Sequence, residues 1–69
     1  MKDNVYKKIE LTGTSTQSLE YAVNNALAKA AKTVREMRWF EVTEIRGAIE
    51  KDHVAQWQVN IKIGFVVEE

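Results

Sequence analysis

The stretch TQSLEYAVNNALAKAAKTVREM, residues 16–37, is the one part of the chain with a helical pattern, and the other elements must pack against it. Its apolar residues recur at steps of three and four and form a single stripe, made of Leu19, Ala22, Val23, Ala26, Leu27, Ala30, Val34 and Met37. Ser15 is the predicted N-cap. At about 1.5 Å per residue this helix would be roughly 33 Å long. No second helix is predicted, so a sheet must cover the stripe.

The remaining segments alternate between apolar and polar residues and are predicted to be strands at 4–12, 39–49 and 54–67. The apolar face of the last strand carries Ala55, Trp57, Val59, Ile61, Ile63, Phe65 and Val67. At about 3.3 Å per residue that strand would span some 45 Å, so it is expected to curl around the helix. The sequence therefore predicts one α+β domain over residues 1–69. Its order is β-α-β-β, with a three-stranded antiparallel sheet wrapped around one helix.

Two short polar segments are predicted to be turns. Thr12–Ser15 would lead into the helix, with Gly13 supplying an unusual dihedral. A phosphate-binding turn at the helix N-terminus is the alternative, although a single glycine is a weak signal for one. Residues 50–53 have the length of a hairpin turn. The second strand loses its alternation in its second half, which predicts a bulge or strong curvature near residues 45–47. His53 has no histidine or cysteine at ligand spacing and is assigned to solvent, not to a metal.

Composition narrows the classes of function. Ten basic and ten acidic residues cancel, which removes the electrostatic basis for binding nucleic acid or an anionic membrane. No apolar run approaches the length of a membrane span, and the first residues do not form a signal peptide, so a cytoplasmic location is expected. The sequence contains no cysteine, so it has neither a disulfide framework nor a thiolate metal cluster. A domain this small that has neither disulfides nor a structural metal commonly relies on oligomerisation for stability.

One residue is out of place in this pattern. If the strands are regular, Trp39 lies on the sheet face away from the helix, together with the polar Gln58 and Asn60. A large aromatic side chain there indicates a subunit interface or a ligand platform, and of the two the residues by themselves favour the interface. No nucleophile stands beside a base, and Glu41 and Glu44 would lie on opposite faces of a regular strand. An enzyme is therefore not expected.

Five short motifs resemble those of the dodecins, in order and at family spacing: VYKKI (5–9), TGTS (12–15), WFEV (39–42), IRG (45–47) and WQV (57–59). The resemblance covers about residues 5–65. Dodecins are flavin-binding proteins that form hollow spheres of twelve identical subunits, so the resemblance implies a homododecamer. The balanced charge already argues against a nucleic-acid or membrane partner. The resemblance also implies sequestration and storage of flavin without catalysis. The alternatives are a ligand-free structural oligomer and a flavin-dependent redox enzyme.

The resemblance also implies three flavin-binding residues. Trp39 matches the family tryptophan that stacks on the isoalloxazine ring at a twofold interface, where it would quench the excited flavin. Gln58 matches the glutamine that hydrogen-bonds the polar edge of the ring. Arg46 matches an arginine that can meet the phosphate of FMN. Val66 departs from some bacterial relatives, which carry arginine there, and leaves the phosphate side less basic. FMN is the expected cofactor and riboflavin the alternative, with coenzyme A kept as a second ligand at another interface.

Overall fold

The computed structural model describes residues 3–68. In chain order these form β1 (Tyr6–Ser15), α1 (Leu19–Ala30), β2 (Met37–Glu50) and β3 (His53–Val66). The strand order in the sheet is β1-β3-β2, and β3 is antiparallel to both neighbours. The predicted fold class, a three-stranded antiparallel sheet with one helix, is confirmed. Across residues 3–68, no helix is long and apolar enough to cross a membrane.

The core lies between α1 and the middle of β3. Its buried members alternate on the strand and recur on the helix: Val59, Ile61 and Ile63 with Ala22, Ala26 and Ala30. Alanine lets the helix approach the sheet closely, and the branched side chains fill the remaining space. We call the sheet face that meets α1 the inner face and the opposite side the outer face. The predicted apolar face of the last strand is thus the inner face.

Helix α1 begins later than predicted. Its N-cap is Ser18, whose hydroxyl accepts a hydrogen bond from the backbone N–H of Tyr21 at 3.1 Å. The prediction of Ser15 as N-cap was wrong, because Ser15 is the last residue of β1. Its hydroxyl accepts a hydrogen bond from the backbone N–H of Gln17 at 2.9 Å, inside the connection to the helix.

The helix also ends earlier than predicted, at Ala30 instead of Met37. It has 12 residues, which correspond to about 18 Å. Met37 is the first residue of β2 and packs against the same core. Met37 thus reaches the core from a strand, although its position continues the helical spacing of the apolar residues before it. The spacing alone could not distinguish a helical residue from a strand residue at this position.

The predicted turn at residues 12–15 is instead the end of β1, paired with residues 57–60 of β3. Gly13 has no positive φ. It is buried because α1 crosses directly over it: a Cβ here would overlap the carbonyl oxygen of Ala22 and lie 2.9 Å from the Cβ of Ala26. Gly13 is therefore required by the close approach of the helix. The alternative prediction of a phosphate-binding turn at residues 12–15 is wrong, because these residues are part of a paired strand.

Strand β2 contains the expected bulge, slightly earlier than predicted. Its pairing with β3 shifts register between Val42 and Glu44, so Thr43 is an extra residue without a partner in the ladder. Because side chains alternate along a strand, one extra residue reverses which side chains face outward beyond it. This bulge decides the composition of the outer face.

Strands β2 and β3 are joined at the predicted hairpin. Glu50 and His53 are paired, and the two residues between them, Lys51 and Asp52, have φ values of 51° and 66°. Two positive φ angles are typical of the type I′ turn, whose twist matches that of the hairpin strands. Among residues 3–68 no group of three side chains of the kinds that bind metals is brought together.

Candidate functional site

The outer face carries all three residues that the resemblance assigns to flavin. Trp39 pairs with Gly64, and Arg46 pairs with Gln58. Directly opposed residues share a face, and positions 58 and 64 of β3 lie on the same side of the sheet. In a regular strand Trp39 and Arg46 would face opposite sides, because seven positions separate them. The extra residue Thr43 corrects this difference and places both side chains outward.

Trp39 is supported from below and from one side. Its side chain lies across Gly64, where an added Cβ would fall within the indole, 2.6 Å from Cη2. Tyr6 of β1 meets it edge to face, with ring centroids 4.9 Å apart and an interplanar angle of 66°. The residue is still 39% exposed. Trp39 is thus less exposed to solvent than its position on the uncovered sheet face suggested. Its remaining exposed surface is available to a planar ligand.

Arg46 and Gln58 are in direct contact. The Nε atom of Arg46 donates to Gln58 Oε1 at 2.6 Å, and Gln58 Nε2 donates to Gln56 Oε1 at 3.0 Å. A guanidinium group can only donate, so Gln58 must turn its oxygen toward Arg46. The Nε2 atom of Gln58 keeps a second N–H for a further acceptor. This orientation suits a ligand edge that offers a carbonyl oxygen.

A polar network extends from this pair across all three strands. Arg46 Nη1 donates to Glu44 Oε1 at 2.8 Å and to Asn60 Oδ1 at 3.3 Å. Asn60 Nδ2 donates to Glu44 Oε1 at 2.9 Å, and Thr12 Oγ1 of β1 donates to Asn60 Oδ1 at 2.7 Å. Since each strand contributes a member, the sheet pairing holds the network in position before any ligand arrives.

Glu41 and Glu44 of β2 both lie on the outer face, which corrects the expectation that they face opposite sides. Glu41 pairs with Lys62 and Glu44 with Asn60 in the register, on either side of the bulge. Glu41 accepts a hydrogen bond from Lys8 Nζ at 2.6 Å, and this bond and the Lys8 charge lower the pKa of Glu41. Both carboxylates are engaged in ion pairs, an arrangement that does not resemble a general base held ready for proton transfer.

Within one chain the site is divided. Trp39 lies opposite Gly64, whereas Arg46 lies opposite Gln58, six residues further along β3. At about 3.3 Å per residue this separation is about 20 Å along the strand. A flavin ring stacked on Trp39 therefore cannot also contact Gln58 of the same chain. The outer face presents an aromatic half-site at one end and a polar half-site at the other.

Sequence reasoning missed the residues that support these half-sites. Gly64 interrupts an otherwise regular apolar–polar alternation, and a glycine inside a strand often marks a close approach by another group. That signal could have identified the seat of the indole. No sequence signal predicted the contacts of Glu44 and Asn60 with Arg46, because these contacts depend on the bulge at Thr43.

Comparison with known proteins gives one consistent result. A model of the Dodecin family matches residues 5–68. The dodecin of Thermus thermophilus is 54% identical over 65 residues, which are 94% of each chain. A crystal structure of a T. thermophilus protein superposes with a TM-score of 0.92 at 52% identity, covering 97% of this chain and 98% of the other. The dodecin of Streptomyces coelicolor has a TM-score of 0.94 at 46% identity, covering 100% and 99%.

Proposed function

This chain belongs to the dodecin family, and we propose that it is a cytoplasmic protein that binds and stores flavin as a hollow homododecamer. Trp39 stacks on the isoalloxazine ring and quenches it, Gln58 donates to the polar edge of the ring, and Arg46 meets the phosphate of FMN. The observation that carries the proposal is the partly exposed indole of Trp39, which lies across Gly64 on the outer face. Riboflavin is the alternative ligand.

The apolar strip on β2 supports self-association. Helix α1 packs on β1 and β3 but makes no comparable contact with β2. Beyond Met37, the large apolar side chains on the inner face of β2 therefore stay between 45% and 77% exposed: Phe40, Val42, Ile45 and Ile49. An apolar surface of this kind that continues a small core is typical of a protein-protein interface. A second copy of the chain is the partner that the proposed shell supplies.

The divided site supports the same assembly. Trp39 and Gln58 of one chain cannot contact the same flavin ring, because Gly64, the partner of Trp39, lies about 20 Å from Gln58 along β3. Two chains whose outer faces meet can do so, with the aromatic half-site of one opposite the polar half-site of the other. The proposal thus requires oligomerisation for binding, and an isolated chain should bind flavin poorly.

The two competing functions make different demands on this face. A flavin-dependent redox enzyme needs an acid or base near the ring, whereas Glu41 and Glu44 are both held in ion pairs. A ligand-free structural oligomer needs no oriented amide, whereas the contact with Arg46 fixes the orientation of Gln58. These contacts favour ligand binding without turnover. Coenzyme A is retained as a second ligand at another interface.

The decisive experiment titrates the purified protein with riboflavin, FMN and coenzyme A while its mass is followed by light scattering. We expect a twelve-chain particle that quenches the fluorescence of bound flavin and does not turn over a reductant and an acceptor. A folded species of 7.9 kDa at micromolar concentration would contradict the assembly. A large particle without affinity for either flavin would leave the structural oligomer as the function.

Arg46→Ala tests the phosphate contact. If Arg46 binds the phosphate, the variant should lose at least about tenfold in FMN affinity and clearly less in riboflavin affinity, because only FMN carries the charge. Raising the salt concentration should shrink the difference. Lys62→Ala, which removes another outer-face cation, is the control and should not change the preference. Equal losses for the two flavins would show that Arg46 serves the ring or the fold.

A further inference from the structure

Glu44 is the carboxylate that neutralises Arg46. Its Oε1 atom accepts from Arg46 Nη1 at 2.8 Å and from Asn60 Nδ2 at 2.9 Å. Within residues 3–68 it is the one carboxylate that forms an ion pair with Arg46. Both side chains are roughly half exposed, at 43% for Arg46 and 59% for Glu44, so an approaching ligand meets the two charges together.

Arg46 keeps donors for such a ligand. Its Nε atom is bound to Gln58, and its Nη1 atom is bound to Glu44 and Asn60. Its Nη2 atom has no hydrogen-bond partner among residues 3–68. A phosphate can therefore be met through Nη2, while the Glu44 carboxylate sits on the neighbouring nitrogen of the same guanidinium group. The phosphate is then attracted by Arg46 and repelled by Glu44 over similar distances.

We propose that Glu44 is the specificity-determining residue of the polar half-site: it restrains the preference of the site for phosphorylated flavin, so that riboflavin and FMN are both retained. This inference rests on the proposed flavin binding and deepens it. A phosphate monoester carries about −1.5 to −2 charges at neutral pH, whereas riboflavin is uncharged. The charge of Glu44 should therefore act on FMN and leave riboflavin almost unaffected.

The test is the ratio of FMN to riboflavin affinity in Glu44→Gln. Glutamine keeps the size of the side chain and an oxygen that can accept from Arg46 and Asn60, but it removes the charge. We expect the ratio to rise about threefold to tenfold at low salt and to return toward the wild-type value as salt is added. Glu44→Asp restores the charge and should restore the ratio.

Glu20→Gln on helix α1 is the matched control, because it changes the net charge equally but lies outside the outer face. Its ratio should equal that of the wild type. An unchanged or lower ratio in Glu44→Gln, with riboflavin still bound, would overturn the inference and show that Glu44 only holds Arg46 in place. A wild-type protein that binds neither flavin would overturn the proposed function itself, which is a different result.

Discussion

Trp39→Ala is expected to lower flavin affinity by at least about tenfold and to restore the fluorescence of any flavin that still binds. Stacking is worth about 0.5–1.5 kcal/mol beyond simple burial, and the loss of buried ring area adds to it. The indole lies across Gly64 and meets Tyr6 edge to face, so the substitution removes the ring that these two contacts hold in place. Fluorescence titration with riboflavin and FMN measures both effects.

Two further variants show whether the loss of affinity and of quenching comes from stacking on Trp39. Trp57→Phe removes the second tryptophan, which lies on the inner face, and should keep both affinity and quenching. Gln58→Ala should weaken binding by roughly 1–3 kcal/mol, because polar groups of the ring lose their partner. It should leave the bound flavin quenched, since the indole remains. Normal binding and quenching in Trp39→Ala would show that Trp39 is an interface residue.

Gly13→Ala is expected to destabilise the fold by about 3 kcal/mol, a large effect for a single methyl group. The added Cβ would overlap the carbonyl oxygen of Ala22 and press against the Cβ of Ala26. Neither can move alone, because both belong to the buried face of α1. Urea unfolding at fixed protein concentration measures the loss, since the stability of an oligomer depends on concentration.

Gly47→Ala is the matched control for this experiment. It is also a strand glycine, but the nearest atom to its added Cβ is the carbonyl oxygen of Gln56 at 3.3 Å. The two substitutions reduce the freedom of the unfolded chain equally, so the difference between them reports the native-state overlap. We expect Gly47→Ala to cost less than about 1 kcal/mol. Equal stabilities would mean that α1 does not lie against β1 as closely as described.

Much of this fold follows from local patterns in the sequence. The alternation along the last strand predicted which of its side chains face the helix, and Val59, Ile61 and Ile63 are fully buried there, whereas Ala55, Trp57 and Phe65 are only partly buried and Val67 is exposed. The separation of Trp39 and Gln58 from that apolar face was predicted correctly for the same reason. Their roles toward flavin came from the resemblance to the dodecins, and those roles remain predictions.

The elements, their order and the faces of the regular strand could be read from the sequence, because periods of 2 and 3.6 residues are local properties of the backbone. The end of α1, the need for glycine at position 13 and the shared face of Arg46 and Trp39 depend instead on contacts between elements. The last of these depends on the unpaired Thr43. A bulge is defined by pairing with another strand, and a single strand read alone does not contain that information.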